Sequence, residues 1–239
     1  MIRSIIFFTI YLPFTGLCIV LVMFISLFST ADRVHAFATF WGKIGLWLAG
    51  AQIKTEGAEH ILQGQPAIYM ANHQSNFDIQ TLYAGLPIQF RWLAKKELFD
   101  VPGFGFAMKR AGYIPVDRAN RKKSIQSMTV AADKIRQGAS VIIFPEGTRS
   151  PDGNLLPFKK GGFMLALQSG APIIPVAISG SRDLMPKHSL RICGGTVNIR
   201  IFPPIETSAL TTADRDRVLE DVFNQISSAV SGENAPNES

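Results

Sequence analysis

Cysteine is nearly missing from this chain: only Cys18 and Cys193 occur in 239 residues, with no C-x-x-C spacing and no histidine cluster beside either. That excludes a disulfide framework and a cysteine–histidine zinc site. Several signature motifs are missing too. There is no G-x-S-x-G elbow, no P-loop and no H-E-x-x-H, and Gly103-Phe104-Gly105 meets Met108 where a dinucleotide fingerprint needs a third glycine. Serine-elbow hydrolysis, Walker-type nucleotide binding, zinc-peptidase chemistry and Rossmann hydride transfer are thereby excluded. Charge is scarce as well. Only 18% of residues are charged, against about 25% in ordinary soluble chains, while 47% are apolar and the excess sits at the N-terminus. The net charge of +6 suits a partner bearing phosphate or anionic lipid, and equally a solvated basic surface.

Between Arg3 and Asp32 no charged residue occurs. A mostly apolar run of about 18 or more residues is long enough for a membrane helix. A buried core helix would show a polar stripe, but inside Ile5–Phe28 only Thr9, Thr15, Gly16 and Ser26, beside Tyr11 and Pro13, interrupt the run. Membrane insertion is therefore expected. A secretory signal cleaved at Val34-His35-Ala36 would have an apolar region well beyond the usual ~7–15 residues. Leu17, before Cys18, also departs from the small residue a lipoprotein signal carries there. From Arg33 to Gly50, Phe37, Phe40, Trp41, Ile44 and Leu48 recur at helical spacing. Lys43 in mid-segment argues against a second crossing. Two readings follow: an amphipathic helix at the headgroup boundary, or a helix packed on the next domain. Pro13 and Gly16 weaken the first segment as a straight span, which favours both helices entering one leaflet over a single crossing.

After residue 50 the pattern changes to short apolar runs separated by helical stretches. Strands are expected at Pro66–Met70, Ile88–Leu93, Gly112–Val116, Ser140–Phe144, Ile173–Ser179 and Thr196–Phe202. Helices are expected at Phe77–Gly85, Glu97–Arg110, Arg121–Gln137, Gly161–Gln168 and Thr212–Ser228. This alternation predicts an α/β domain over residues 51–231, with a largely parallel or mixed sheet flanked by helices. Residues 1–50 are then the membrane-anchoring helices, and Gly232–Ser239 a polar, disordered tail. In such a domain, ligands bind beyond the carboxyl ends of strands.

Two polar segments stand at those ends. The first, Ala71-Asn72-His73-Gln74-Ser75-Asn76-Phe77-Asp78, follows a strand and precedes a helix. On one regular helix His73 and Asp78 would point about 140° apart. With His73 in the turn and Asp78 in the first helical turn they converge, Asp78 taking the proton of one ring nitrogen and leaving the other as a base. The bland alternative is a helix start, with Asn72 or Ser75 as its cap. The second segment, Phe144-Pro145-Glu146-Gly147-Thr148-Arg149-Ser150, offers close backbone approach at Gly147, a donor in Thr148 and a phosphate-matching fork in Arg149. Glu146 could orient Arg149 or accept from a hydroxyl, and a tight turn with a surface ion pair is the alternative. Lys95 and Lys96 add positive charge, although strand alternation lets only one point inward. Lys159 and Lys160 could likewise attract phosphate or anionic lipid, but they read better as a basic helix-start surface.

Together these segments resemble the glycerolipid acyltransferase family typified by 1-acylglycerol-3-phosphate acyltransferase. That family carries N-H-x-x-x-x-D followed by F-P-E-G-T-R-S, and both stand intact as Asn72–Asp78 and Phe144–Ser150. Gly112–Arg118 is similar to the family's block ending in arginine, and Ile174–Ile178 to its apolar block containing proline. The resemblance implies that His73, oriented by Asp78, deprotonates the acceptor hydroxyl as it attacks a thioester. It also implies phosphate-binding roles for Arg118 and Arg149, with Glu146, Gly147 and Thr148 at the acceptor side and Lys95 as added charge.

The expected activity is acyl transfer to the 2-hydroxyl of 1-acyl-sn-glycerol 3-phosphate, giving phosphatidate. Glycerol 3-phosphate or another lysolipid is the rival acceptor, and a non-catalytic lipid-binding protein is the rival of another class. Intact His73 and Asp78 argue against the latter. No metal or tightly bound cofactor is expected, since acyl-coenzyme A or acyl carrier protein serves as co-substrate. The expected partners are membrane lipids, lysophosphatidate and that donor, with no nucleic acid, and the expected location is a membrane with the catalytic domain on its cytoplasmic side.

Overall fold

The computed structural model describes residues 1–233. It opens with α1 (Ile2–Ile25) and α2 (Ala31–Ala49). Among the described helices α1 alone is long and apolar enough to cross a membrane, and it stays continuous through Pro13. Thr30 caps α2 by accepting the Arg33 N–H, and Gly50 ends it at φ +69°, a left-handed conformation that glycine adopts without a Cβ penalty.

The α/β domain follows as β1 (Ala51–Glu56), β2 (Ile68–Ala71), α3 (Phe77–Gly85), β3 (Phe90–Lys95), α4 (Phe104–Arg110), β4 (Ile114–Val116), α5 (Arg121–Arg136), β5 (Ser140–Ile143), α6 (Gly161–Ser169), β6 (Ile173–Ser179), α7 (Ser181–Leu184), β7 (Gly195–Ile201) and α8 (Arg215–Glu233). The seven strands form one sheet in the order β1-β7-β6-β2-β5-β3-β4. Only the β6–β7 pair is antiparallel, so the sheet is mixed but mostly parallel. Strand β1 is absent from the sequence-based expectation. It is a mostly exposed edge strand whose partner, β7, lies far downstream, so no local signal announces it. The helix expected over Glu97–Arg110 is split into a 3-10 turn, Lys96–Asp100, and α4. Pro102 and Gly103, the latter at φ +72°, stand between them. Helix α8 runs through Gly232 and Glu233, the first residues of the expected tail, and residues 234–239 of that tail lie outside the described residues.

Alternation along the central strands divides the core. Tyr69 and Ile142 face α1–α4, whereas Ile68, Met70, Val141 and Ile143 face α5, α6 and α8. Both N-terminal helices belong to the first layer. Tyr11 of α1 stacks on Trp41 of α2 at 5.5 Å, and Trp41 Nε1 donates to Thr15 Oγ1 at 3.0 Å. The inner side of α2 buries Val34, His35 and Leu46, while Phe40 and Trp47 remain exposed. Hence α2 is both packed on the domain and apolar outside.

Helix α1 is fastened at both ends. Ser4 Oγ accepts the Ile192 N–H at 2.8 Å, and the Arg3 guanidinium fills the space over Gly50 and Gly194. At the other end, Arg110 donates to the Ser26 carbonyl. Between these points α1 presents Ile5, Ile6, Ile10, Leu17, Val20 and Phe24 outward.

Gly105 explains the incomplete G-x-G. A Cβ there would lie 2.0 Å from the Phe99 carbonyl oxygen, so this glycine lets the 3-10 turn pack on α4. Gly105→Ala is expected to destabilise the protein by at least the ~1–3 kcal/mol usual for overpacking, because a backbone atom must move. Thermal denaturation in detergent measures it, and an unchanged midpoint would refute the contact.

Candidate active site

Strands β2 and β5 are parallel neighbours, so the segments that follow them emerge side by side at the carboxyl ends of the central strands. The Ser150 N–H donates to the His73 carbonyl at 2.7 Å, joining the two loops directly. Asn72 fixes the first loop to β6. Its side-chain amide donates to the Ile178 carbonyl at 2.8 Å and its oxygen accepts the Ile178 N–H at 2.7 Å. Asn72 therefore braces a strand rather than capping α3. Ser75 Oγ accepts the Phe77 N–H at 3.2 Å and donates to the Met185 carbonyl at 2.8 Å, so it serves the helix start and a distant loop together.

His73 Nδ1 lies 2.7 Å from Asp78 Oδ2. The same oxygen accepts the N–H groups of Gln74 at 2.7 Å and Ser75 at 2.8 Å, and Asp78 is fully buried. A carboxylate so placed can only accept, so Nδ1 carries the proton and Nε2 keeps its lone pair. The imidazole plane is set by stacking. The Phe144 ring lies 3.9 Å from that of His73 at 10°, and Trp92 continues the stack at 5.5 Å from Phe144. Sequence reasoning missed Phe144 and Trp92 as orienting groups. The only available signal was the position of Phe144 at the head of the second motif.

Glu146 points inward. Its Oε1 accepts the His73 N–H at 2.6 Å and its Oε2 the Leu156 N–H at 3.0 Å, and only 2% of the residue is exposed. Its contacts are thus with the loop carrying His73, not with Arg149. Burial pushes its carboxyl up to about 7, against the pull of those two backbone donors. Gly147, at φ +72°, offers its carbonyl to the Arg118 guanidinium, so the arginine after β4 reaches the second motif across β3. Thr148 is exposed on the loop, and the Arg149 carbonyl accepts from Lys187 Nζ at 2.7 Å.

Beside this site lies a cavity of about 490 Å³, which Asp78, Glu146, Gly147 and Thr148 do not line. His73, Lys95, Arg118 and Arg149 all line it. The rest is mainly apolar, with Cys18, Ile19 and Val22 from α1, Phe37 and Trp41 from α2, and Phe104 and Met108 from α4. Lys95 and Lys96 diverge: Lys95 lines the cavity and approaches Glu97 at 3.8 Å, whereas Lys96 reaches Asp117 at 4.0 Å. At a wall of the cavity the Tyr113 hydroxyl bonds to Tyr83 at 2.5 Å and to His35 Nδ1 at 3.2 Å. Burial lowers His35 to about 4, which keeps it neutral. No group of three or more metal-ligating side chains occurs among the described residues.

The arrangement suits proton abstraction from a hydroxyl beside an anion site that opens onto an apolar chamber. Comparison with known proteins agrees. A family model described as Acyltransferase matches residues 52–179. The chain is 36% identical over 189 residues to a human protein named 1-acyl-sn-glycerol-3-phosphate acyltransferase alpha, covering 76% of this chain and 67% of that protein. It is 35% identical over 189 residues to the chloroplastic 1-acyl-sn-glycerol-3-phosphate acyltransferase LPAT1 of Arabidopsis thaliana, covering 77% of this chain and 52% of that one. The chain thus spans about two thirds and about half of these relatives' lengths. Its fold is similar to the crystal structure of PlsC, the 1-acyl-sn-glycerophosphate acyltransferase of Thermotoga maritima, with TM-score 0.80 and 28% identity over 100% of this chain and 97% of that one.

The Glu146 carboxyl yields a pH prediction. A carboxyl raised by folding contributes stability that is complete below the ordinary carboxylate range and is lost as the pH rises through about 7. Glu146→Gln cannot ionise. The melting temperature of the native protein should therefore fall relative to this variant between pH 4.5 and 7, the ordinary and raised values of this carboxyl, and hold level above. A constant difference would contradict the buried acid.

Proposed function

The chain belongs to the acyltransferase family, and from that membership we propose that it moves a fatty acyl group from a thioester to the 2-hydroxyl of 1-acyl-sn-glycerol 3-phosphate, forming phosphatidate. The observation that carries this reading is the His73–Asp78 contact of 2.7 Å at a cavity also lined by Arg118 and Arg149. His73 Nε2 takes the proton of the acceptor hydroxyl as its oxygen bonds to the thioester carbonyl carbon. The carbon–sulfur bond then breaks, and the departing thiolate recovers that proton from the imidazole. No acyl-enzyme is needed. Arg118 and Arg149, with Lys95, hold the acceptor phosphate by charge-assisted hydrogen bonds. The apolar chamber beneath α1 and α2 holds hydrocarbon, and Glu146 keeps the His73 backbone in place.

The donor is coenzyme A or an acyl carrier protein, which places the domain on the cytoplasmic side of a membrane. Helix α1 enters one leaflet rather than crossing. Its 24 residues would measure about 36 Å, yet Ser4 near one end and Ser26 at the other both bond to the same domain. A crossing helix would carry one end to the far side. With α1 lying along the domain, its outward apolar residues meet acyl chains while His73 stays at headgroup depth.

His73→Ala is expected to lower turnover with lysophosphatidate by the ~10²–10⁴ usual for a general base, with the fold kept. Near-native turnover would refute the assignment. For the anchor, Ile2→Cys in a Cys18→Ala, Cys193→Ser background is expected to react with an impermeant thiol reagent only from the face bearing the catalytic domain. Labelling only from the opposite face would establish a crossing instead.

A further inference from the structure

A second cavity, of about 150 Å³, lies on the other side of Arg118. It shares Leu93, Phe144 and Arg118 with the larger one, so these three side chains form the partition between them. Its own wall includes Lys159, Gly147 and the glycines Gly161 and Gly162. The two adjacent lysines there have different fates. Lys160 pairs with Asp216 at 3.1 Å, whereas no ion pair of Lys159 is found among the described residues. The Lys159 N–H donates to the Pro145 carbonyl at 2.8 Å, which fixes the residue behind the second motif. Its amine sits 2.7 Å from where a Cβ on Gly147 would stand, so the side chain arches over that glycine.

The two glycines also differ. A Cβ on Gly162 would come within 3.3 Å of Ile143, which gives that glycine a packing reason. At Gly161 a Cβ would meet nothing within 4 Å. Gly161 and Lys159 are both exposed, so the cavity opens to solvent beside that ammonium group.

Transfer from a thioester brings three bodies to His73: the acceptor with its phosphate, the acyl chain, and the carrier that departs with the sulfur. The larger cavity, with its apolar wall and Arg149 and Lys95, suits the first two. The carrier must leave by another route. The smaller cavity is one aromatic ring away, because Phe144 in the partition stacks on His73 at 3.9 Å. We propose that this second cavity binds the narrow phosphorylated, amide-containing arm that carries the acyl thioester, with Lys159 meeting its phosphate and Gly161 leaving its path open. The inference rests on the thioester-dependent acyl transfer proposed above. It places the reacting carbonyl and its sulfur within reach of His73 in the larger cavity, with the arm passing Arg118 towards Lys159. When the carbon–sulfur bond breaks, the thiolate takes its proton from His73 and the arm then leaves on the Lys159 side.

The experiment compares Lys159→Gln and Gly161→Leu with the native full-length enzyme in detergent, using palmitoyl-coenzyme A and palmitoylated carrier protein as donors. These two share the palmitoyl thioester and the arm and differ in what the arm is attached to. Each variant is expected to raise the KM for both donors about tenfold or more, while the KM for lysophosphatidate and the melting temperature stay unchanged. An unaltered donor KM in both active variants overturns the proposal. A rise confined to one donor overturns the shared arm as the ligand, since it assigns the contact to a nucleotide or to a protein surface. Failure of the native chain to acylate lysophosphatidate from either donor would overturn the underlying acyltransferase reading instead.

Discussion

The Asp78 carboxylate is the constraint on which the site depends. A buried carboxylate is costly to desolvate unless donors surround it. Here one oxygen collects the His73 ring and the N–H groups of Gln74 and Ser75, while its partner oxygen has none among the described residues. The position in the first turn of α3 adds the favourable end of the helix dipole. To bring those three donors together, the chain from Asn72 to Phe77 must wrap around one point. The wrapped loop is then tied outward: Gln74 donates to the Gly153 carbonyl at 3.0 Å, Ser75 to that of Met185, and the His73 carbonyl accepts from Ser150. Thus the connections after β2, β5 and β6 are all held by the loop that serves Asp78.

Glu146 is the counterpart from the second motif. Its two oxygens take the backbone donors of His73 and Leu156, so the second motif supports the first. This separates two roles within one motif. Glu146 faces the protein and Arg149 faces the cavity. Packing makes the distinction, because a residue 2% exposed with both oxygens engaged has no free group to offer a ligand.

The N-terminal helices connect the site to its surroundings. They form part of the cavity wall through Cys18, Ile19, Phe37 and Trp41, while Trp47 and the outer residues of α1 remain exposed. One layer of side chains thus separates the chamber from whatever covers α1. A helix in this role must be apolar on both sides, which accounts for the lack of any polar stripe along it. The same composition would suit a crossing helix. The two arrangements differ through the contacts of Ser4 and Ser26, not through hydropathy.

What the sequence determined by itself was whatever has a local cause. The strand Ile173–Ser179 follows from a short apolar run and the helix Phe77–Gly85 from the helical stretch after a polar turn, and the structure has them at those residues. The α/β class follows from alternation, and the chemistry of the site from two short motifs whose residue types have few other uses together. Tertiary structure decided what depends on distant partners. Strand β1 exists because β7 offers it an edge, and Pro102 with Gly103 divides a stretch whose apolar spacing reads as one helix. Arg118 meets Gly147 only because β4 lies two places from β5 in the sheet. Lys159 and Lys160 look alike in the chain, yet Asp216, more than fifty residues on, engages one and leaves the other at a cavity. Periodicity and motif spacing report forces acting over a few residues, whereas the neighbours that assign each polar group its task come from anywhere along the chain.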